Sequence, residues 1–260
     1  SSEEYEEYCL SKIESKLEKD TSIAAFVMES GAQMAGGVII YPQTFQKKIS
    51  QICKKNDVLF VLDEIATGFG RLGSMVEYQS QKSIPDVVSF GKMLTGGYQT
   101  FAATLTTKKI NDSFLGEFSE FKHLFHGHTY TGNPTAAALS LKNLELYEKY
   151  HLIEKIQKTS KVFENRINDI STLDMVGEIR HKGMVMGIEL VQNKKSNKPL
   201  SSKISMNKLV FEEGRKHQIY FRTLGNIIML VPPLAISQKD LNFLIDGTIS
   251  TIKSLSRKLR

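Results

Sequence analysis

The sequence predicts an α/β domain with a mostly parallel sheet, followed by a smaller α+β domain. Residues 23–29 (IAAFVME) and 58–64 (VLFVLDE) are nearly continuous apolar runs that end in acids. Such runs are typical of strands that are buried on both faces of a parallel sheet. A change of pattern near residue 150 indicates the second domain, so we expect domains at 1–149 and 150–260.

Helical patterns separate the predicted strands of the first domain. In residues 45–56, apolar side chains recur at helical spacing, which makes a strand–helix–strand unit. Residues 86–92 and 100–107 are predicted to add two strands. A long helix is predicted to begin at Asn133 and Pro134, because Asn is a favoured cap and Pro a favoured first residue.

The second domain is predicted to mix helices and strands. An amphipathic helix comes first, with Ile156, Phe163, Ile167 and Ile170 on one face. Strands are predicted around Gly183 (176–192) and around Gly225 (218–234). Between them, a polar loop is predicted at 193–199 and a helix at 208–219, and a last helix is predicted to begin with a cap at Ser237.

Composition excludes several classes of protein. The 260 residues are 41% hydrophobic and 24% charged, which is typical of globular chains. The net charge is +6, but Lys and Arg are scattered, so we expect no nucleic-acid partner. No run is apolar enough to span a membrane, and the first residues do not resemble a signal peptide. Two unpaired cysteines favour a reducing compartment, so a cytoplasmic location is expected.

An acid and an amine follow neighbouring predicted strands. Asp63 ends one strand, and Lys92 follows the next one along the chain. Ligands of open α/β sheets collect beyond the carboxyl ends of the strands. A carboxylate could keep the ring nitrogen of a pyridine cofactor protonated while the amine bonds to its aldehyde. An ordinary ion pair at the strand ends would show the same pattern, so these residues alone leave both interpretations open.

Two other motifs are weaker. Residues 68–73 match G-x-G-x-x-G, but the next predicted strand ends in Lys92 rather than in the acid that a dinucleotide site requires. His123, His126 and His128 have no Cys, Asp or Glu at a known ligand spacing, so we predict no metal site.

Two further positions offer binding groups. The hydroxyls of Thr129 and Thr131 could bind an anion or simply satisfy a turn. Arg222 could clamp a carboxylate, although a lone arginine in a strand is more often a surface residue.

Four segments together resemble the class III aminotransferases, which are fold-type I enzymes that depend on pyridoxal phosphate. They occur in the family's order and separation and are LDEIATGFGRLG (62–73), SFGKMLTGGY (89–98), HGHTYTGNP (126–134) and FRTLGNIIMLVPPL (221–234). The resemblance begins near Ala25. It implies the C-terminal part of the family's chain, with a large domain that is incomplete at its N-terminus.

The resemblance implies a role for each matching residue. Lys92 would form the Schiff base with pyridoxal phosphate and later move a proton, and Asp63 would pair with the ring nitrogen. Ile65 would pack beneath the ring, and Glu29 would lie near the cofactor. Thr129 would reach the cofactor phosphate of the partner subunit, which implies a homodimer with shared active sites.

Substrate contacts are implied as well. Arg222 would bind the carboxylate of a keto acid, and Gly127 would contact the substrate. Relatives often have an aromatic residue near the position of Met229, so the packing of the substrate there is open.

The resemblance implies transfer of an amino group from a small amine to a keto acid. Two alternatives stay open, which are a class III ω-aminotransferase with a different amine donor and keto acid and an inactive fragment that acts only as a dimerising module. The family's N-terminal half supplies the loop that binds the phosphate. We therefore expect this polypeptide to be inactive or poorly soluble without a complementary chain, because its sheet edges and apolar surface would be uncovered.

Overall fold

The computed structural model describes residues 2–201 and 203–259. The helices are α1 Ser2–Lys19, α2 Phe45–Lys55, α3 Glu77–Ser80, α4 Lys108–Ser113, α5 Pro134–Lys149, α6 Leu152–Ser171, α7 Met206–Lys216 and α8 Gln238–Lys258. Short 3₁₀ helices lie at Lys92–Thr95 and Phe118–Glu120. None of the helices in the described ranges is long and apolar enough to cross a bilayer.

The strands are short. Their bounds are β1 Ala25–Glu29, β2 Ala32–Gln33, β3 Ile39–Ile40, β4 Leu59–Asp63, β5 Val87–Phe90, β6 Ala103–Thr106, β7 Val176–Lys182, β8 Val185–Asn193, β9 Lys198–Pro199, β10 Arg222–Leu224 and β11 Ile227–Leu230.

The chain forms two compact units. The first consists of Ser1–Ala32, Tyr41–Phe69 and Ser74–Tyr150, and the second of Gln33–Ile40, Gly70–Gly73 and His151–Arg260. Two short segments from the first half of the sequence thus belong to the second unit. The domain boundary near residue 150 stays a prediction.

The sheet of the first unit is mostly parallel, as predicted. Its strand order is β1-β4-β5-β6, in which β1, β4 and β5 are parallel and β6 is antiparallel to β5. Phe60 and Leu62 of β4 are buried, and so are Ile49 and Cys53 of α2, which packs against this strand. The predicted strand–helix–strand unit is therefore confirmed.

Helix α1 was not predicted from the sequence. Among residues 3–19, Leu17 is the only buried side chain. Most of this helix is polar and solvent-exposed, so it has little apolar periodicity that would predict it. Ion pairs connect it to α2, with Lys48 Nζ 2.8 Å from Glu6 and Lys55 Nζ 2.7 Å from Glu14.

The second unit is built on an antiparallel sheet. Its order is β10-β11-β8-β7, and β9 pairs with β8. Helices α6, α7 and α8 contribute to a core whose fully buried members include Phe163, Ile188, Ile228 and Ile252. Strand β9 lies in the segment that was predicted to be a polar loop. Backbone pairing at a sheet edge requires no apolar side chain, so no pattern of side chains predicts this strand.

Glu213 of α7 is the buried centre of a charge cluster in the second unit. Its side chain is 3% exposed and lies 2.9 Å from Lys216 Nζ, and it also pairs with Lys258 at the end of α8. The hydrogen bonds from Lys258 and Lys216 lower the pKa of Glu213. A lowered pKa in the folded state means that the stabilisation is present above the unfolded-state pKa and is lost as the pH falls through the folded value.

We expect Glu213→Gln to lower the melting temperature at neutral pH by roughly 5 °C, because a charged hydrogen-bond acceptor is removed from a buried position. The variant should also lose less stability than the wild type in acid. The control is Glu212→Gln, since Glu212 is exposed and its carboxylate lies 3.9 Å from Lys208 Nζ. Melting curves between neutral pH and about pH 4 test this, and equal acid sensitivity in both variants would contradict it.

Candidate active site

A row of polar side chains crosses the sheet of the first unit. Glu29 at the end of β1 is in register with Asp63 at the end of β4, and Asp63 is in register with Ser89 of β5. The row continues to β6, where Thr104 Oγ1 lies 3.1 Å from Ser89 Oγ. Residues in register on neighbouring strands point to the same face of a sheet, ~4.8 Å apart. Glu29 and Asp63 were predicted as site residues from the sequence, whereas Ser89 and Thr104 were not.

The Asp63 carboxylate is held at one oxygen and open at the other. Oδ1 accepts a hydrogen bond of 2.8 Å from the backbone N–H of Ile65. Within residues 2–201 and 203–259, no group donates a hydrogen bond to Oδ2. The carboxylate is therefore oriented by its own turn while one oxygen can accept a bond from a ligand.

Lys92 is the first residue of the 3₁₀ helix that follows β5. Its side chain is exposed, and its φ of +41° lies in the left-handed region that non-glycine residues rarely adopt. A Cβ on the preceding Gly91 would lie 3.2 Å from Ile65 Cγ2. Ile65 therefore packs against the backbone beside Lys92, and the turns that hold Asp63 and Lys92 are in contact.

Glu64 is a buried acid that the sequence analysis did not select. Its carboxylate accepts hydrogen bonds from the backbone N–H groups of Glu77 at 2.8 Å and Tyr78 at 2.5 Å. Burial raises the pKa of Glu64, and these two bonds partly offset the rise. Because neighbouring strand residues point to opposite faces, the Asp63-Glu64 pair itself was a signal that one acid faces the site and the other the core.

Tyr41 is a second group that sequence reasoning missed. Burial and the charge of Glu29 raise the pKa of Tyr41 to about 12. Its phenol therefore remains protonated at neutral pH. This keeps a hydroxyl near the acid that ends β1.

The turn before α5 satisfies its own polar groups. The backbone N–H of His128 donates to Thr131 Oγ1 at 2.9 Å, and that of Tyr130 donates to His128 Nδ1 at 3.1 Å. Thr129 is exposed and makes no hydrogen bond with the described part of the chain. Gly127 is exposed too. Their roles in binding cofactor phosphate and substrate remain predictions.

The predicted start of α5 is confirmed. Asn133 Oδ1 accepts hydrogen bonds from the N–H groups of Thr135 and Ala136, and Pro134 is the first helical residue. The described residues contain no group of three His, Cys, Asp or Glu side chains that could bind a metal ion.

Arg222 lies in the second unit, in β10. It is in register with Met229 of β11, so the two side chains share one face of this hairpin. Arg222 is exposed and forms no ion pair with the residues that the structure describes. Its guanidinium is therefore available to a negatively charged ligand.

The glycine-rich loop at 68–73 does not have the form of a dinucleotide site. No helix begins at Gly73, and the next one, α3, starts at Glu77 and has four residues. Arg71 in this loop is buried, with Nη1 donating to the carbonyl oxygens of Met184 and Pro232 at 3.2 and 2.6 Å. The loop thus has a structural role in the second unit.

Comparisons with known proteins agree on one family. The family model "Aminotransferase class-III" matches residues 1–252. The adenosylmethionine-8-amino-7-oxononanoate aminotransferase of Methanocaldococcus jannaschii is 41% identical over 94% of this chain and 54% of its own length. The Geobacter sulfurreducens protein of the same name is 36% identical, over 95% of this chain and 55% of its own.

A solved structure shows the same fold. The crystal structure of the M. jannaschii aminotransferase has a TM-score of 0.89 and covers 95% of this chain and 57% of its own. The chain therefore spans about half the length of the curated relatives that it matches.

Proposed function

Because the chain belongs to the class III aminotransferase family, we propose that it carries the catalytic lysine of an enzyme that makes 7,8-diaminononanoate in biotin synthesis. The enzyme would transfer an amino group to 8-amino-7-oxononanoate, with S-adenosylmethionine or lysine as the donor. The names of its relatives support the keto substrate and the first of these donors. The two free cysteines favour a reducing compartment, which fits a cytoplasmic enzyme.

The residues of the first unit fit pyridoxal phosphate, on which the family depends. The observation that supports this most is the row Glu29-Asp63-Ser89, with Lys92 on the next turn. Asp63 Oδ2 would accept a hydrogen bond from the protonated ring nitrogen and keep it protonated, and Ile65 would supply an apolar surface beneath the ring. When bound, the cofactor takes up the electrons of the bond that breaks at the substrate carbon.

Lys92 would do two things. Its Nζ would hold the cofactor through the aldehyde carbon, whose oxygen would be lost as water, until the amine of the donor takes its place. The freed amine would then move a proton from the α-carbon of the donor to C4′ of the cofactor. With the keto substrate it would move a proton from C4′ to the former ketone carbon. Its exposed side chain leaves it accessible for both steps.

Arg222 would anchor the remote carboxylate of 8-amino-7-oxononanoate. Its exposed guanidinium without an ion pair in the described chain supports this role. Binding energy from a remote group serves to position the reacting carbon. Gly127 would contact the same substrate.

A second copy of the chain would complete the active site. All residues from 111 to 132, here called the aromatic segment, are exposed. Its large apolar side chains include Phe118 at 83% and Phe125 at 87% exposure. Exposed apolar patches of this kind mark interaction surfaces. Thr129 lies in the same segment and would reach the partner's cofactor phosphate.

We expect pyridoxal phosphate followed by borohydride to label Lys92 in the complete gene product, and Lys92→Ala to abolish both labelling and turnover. The control is Lys82→Ala, because Lys82 is also exposed and also has a positive φ. Peptide mapping of the reduced protein identifies the labelled residue. Label on another lysine, or full activity of Lys92→Ala, would overturn the cofactor assignment.

Arg222→Ala should raise the KM for 8-amino-7-oxononanoate by roughly 10- to 100-fold and change kcat little, because a charged hydrogen-bond partner of the remote carboxylate is lost. Arg257→Ala is the matched control, since Arg257 is an exposed arginine at the end of α8. Steady-state kinetics with each donor and several keto acids test this. A preference for another keto acid would indicate a different ω-aminotransferase.

The double variant Phe118→Asp/Phe125→Asp should shift the complete protein from dimer to monomer in sedimentation, because charges cannot be buried in an apolar interface at low cost. Ile84→Asp should leave the dimer intact, although Ile84 is 82% exposed. If the double variant sediments as the wild type does, the aromatic segment is not the dimer contact.

A further inference from the structure

Helix α5 forms hydrogen bonds to the turns that follow β4 and β5. Asn143 Nδ2 donates to the carbonyl oxygens of Met93 at 2.7 Å and Leu94 at 3.2 Å. Tyr147 Oη donates to the carbonyl oxygen of Phe69 at 2.8 Å. Asn143 and Tyr147 are four residues apart, so they lie on the same face of the helix.

Asn143 also packs against the end of the 3₁₀ helix that begins with Lys92. A Cβ on Gly96, which closes this helix with a φ of +63°, would lie 3.1 Å from Asn143 Oδ1. The carbonyl oxygen of Met93 also accepts a hydrogen bond of 3.1 Å from the N–H of Gly96. The side-chain amide of Asn143 binds this oxygen and that of Leu94, as side chains often do at helix ends. Asn143 therefore attaches the 3₁₀ helix to α5 at its C-terminal end.

The backbone of Lys92 needs such an attachment. Its φ of +41° is a conformation that a non-glycine residue keeps only when its surroundings impose it. On one side, Ile65 packs against Gly91, and on the other side the carbonyl groups of Met93 and Leu94 are held by Asn143. The residues on both sides of Lys92 are thus fixed by contacts to other elements.

Tyr147 makes the corresponding contact to the turn after β4. Phe69, whose carbonyl oxygen it binds, also has a positive φ and packs its ring 5.4 Å from that of Phe90 at the end of β5. This contact lies six residues beyond Asp63, on the turn after β4. The variant Tyr147→Phe therefore provides a comparison, because in it α5 loses a hydrogen bond to the turn after β4 and keeps those to the turn after β5.

We propose that Asn143 is a positioning residue that sets the direction of the Lys92 amine by holding the 3₁₀ helix against α5. The proposal rests on the proposed function of Lys92. The amide N–H groups are the part of Asn143 that matters, because they bind two carbonyl oxygens. Asn143→Leu removes them and keeps similar size, and Asn143→Asp replaces them with an oxygen that would face two carbonyl oxygens.

The test uses the complete gene product in its cofactor-free form. Pyridoxal phosphate is added, and the rate of bonding to Lys92 is followed by absorbance and by borohydride trapping with peptide mapping. The pH at which the absorbance of the bound cofactor changes is measured for each variant, together with the melting temperature. Glu145→Gln is the control, because Glu145 is an exposed residue of the same helix.

We expect both Asn143 variants to bond at least about tenfold more slowly than Glu145→Gln, since small errors in placement cost large factors in rate. The pH of the absorbance change should also shift. Tyr147→Phe should lower the melting temperature but leave the pH of the absorbance change where it is in the wild type, because loss of a merely structural contact affects stability alone.

Three results separate the possible failures. If the wild type forms no adduct at Lys92, the proposed function is wrong. If the wild type forms it and both Asn143 variants bond within twofold of Glu145→Gln with an unchanged pH of the absorbance change, the positioning role is wrong. If Asn143→Leu does not fold, the nearly isosteric Asn143→Asp decides by the same two measurements.

Discussion

The register between β1, β4 and β5 is the constraint on which the first unit depends. It places Glu29, Asp63 and Ser89 side by side at the carboxyl edge of the sheet. A shift of β4 by one residue would turn Asp63 toward the core and Glu64 toward the ligand face. The apolar residues Phe60 and Leu62 would then leave the core, so hydrophobic burial maintains the register that orients the acid.

The buried carboxylate of Glu64 adds a second constraint. A charged group in the core is costly unless hydrogen bonds satisfy it, and the N–H groups of Glu77 and Tyr78 do so. The polar cluster extends to Gln46, which accepts a hydrogen bond of 2.8 Å from the N–H of Gly31 and donates one of 2.8 Å to Ser83 Oγ. These directional contacts fix the turns at the strand ends more closely than apolar packing could.

The sequence was sufficient for features that depend on local patterns and insufficient for those that depend on distant contacts. Apolar runs that end in acids located β1 and β4, and the cap at Asn133 located α5. The role of Asn143 was not accessible, because its partner Met93 lies 50 residues earlier. The same holds for Arg71, whose partners Met184 and Pro232 are 113 and 161 residues away. Lone polar residues of this kind have no periodicity that reveals their partners.

The interleaving of the two units has a consequence for dissecting the protein. The second unit takes residues 33–40 and 70–73 from the first half of the chain. A polypeptide that starts at residue 151 would lack the guanidinium of Arg71, which binds two backbone carbonyl groups in that unit. It would also lack Val38, whose side chain is fully buried. A C-terminal fragment would therefore lack part of its own unit, and during synthesis on the ribosome residues 33–40 and 70–73 must wait until the rest of that unit has been made.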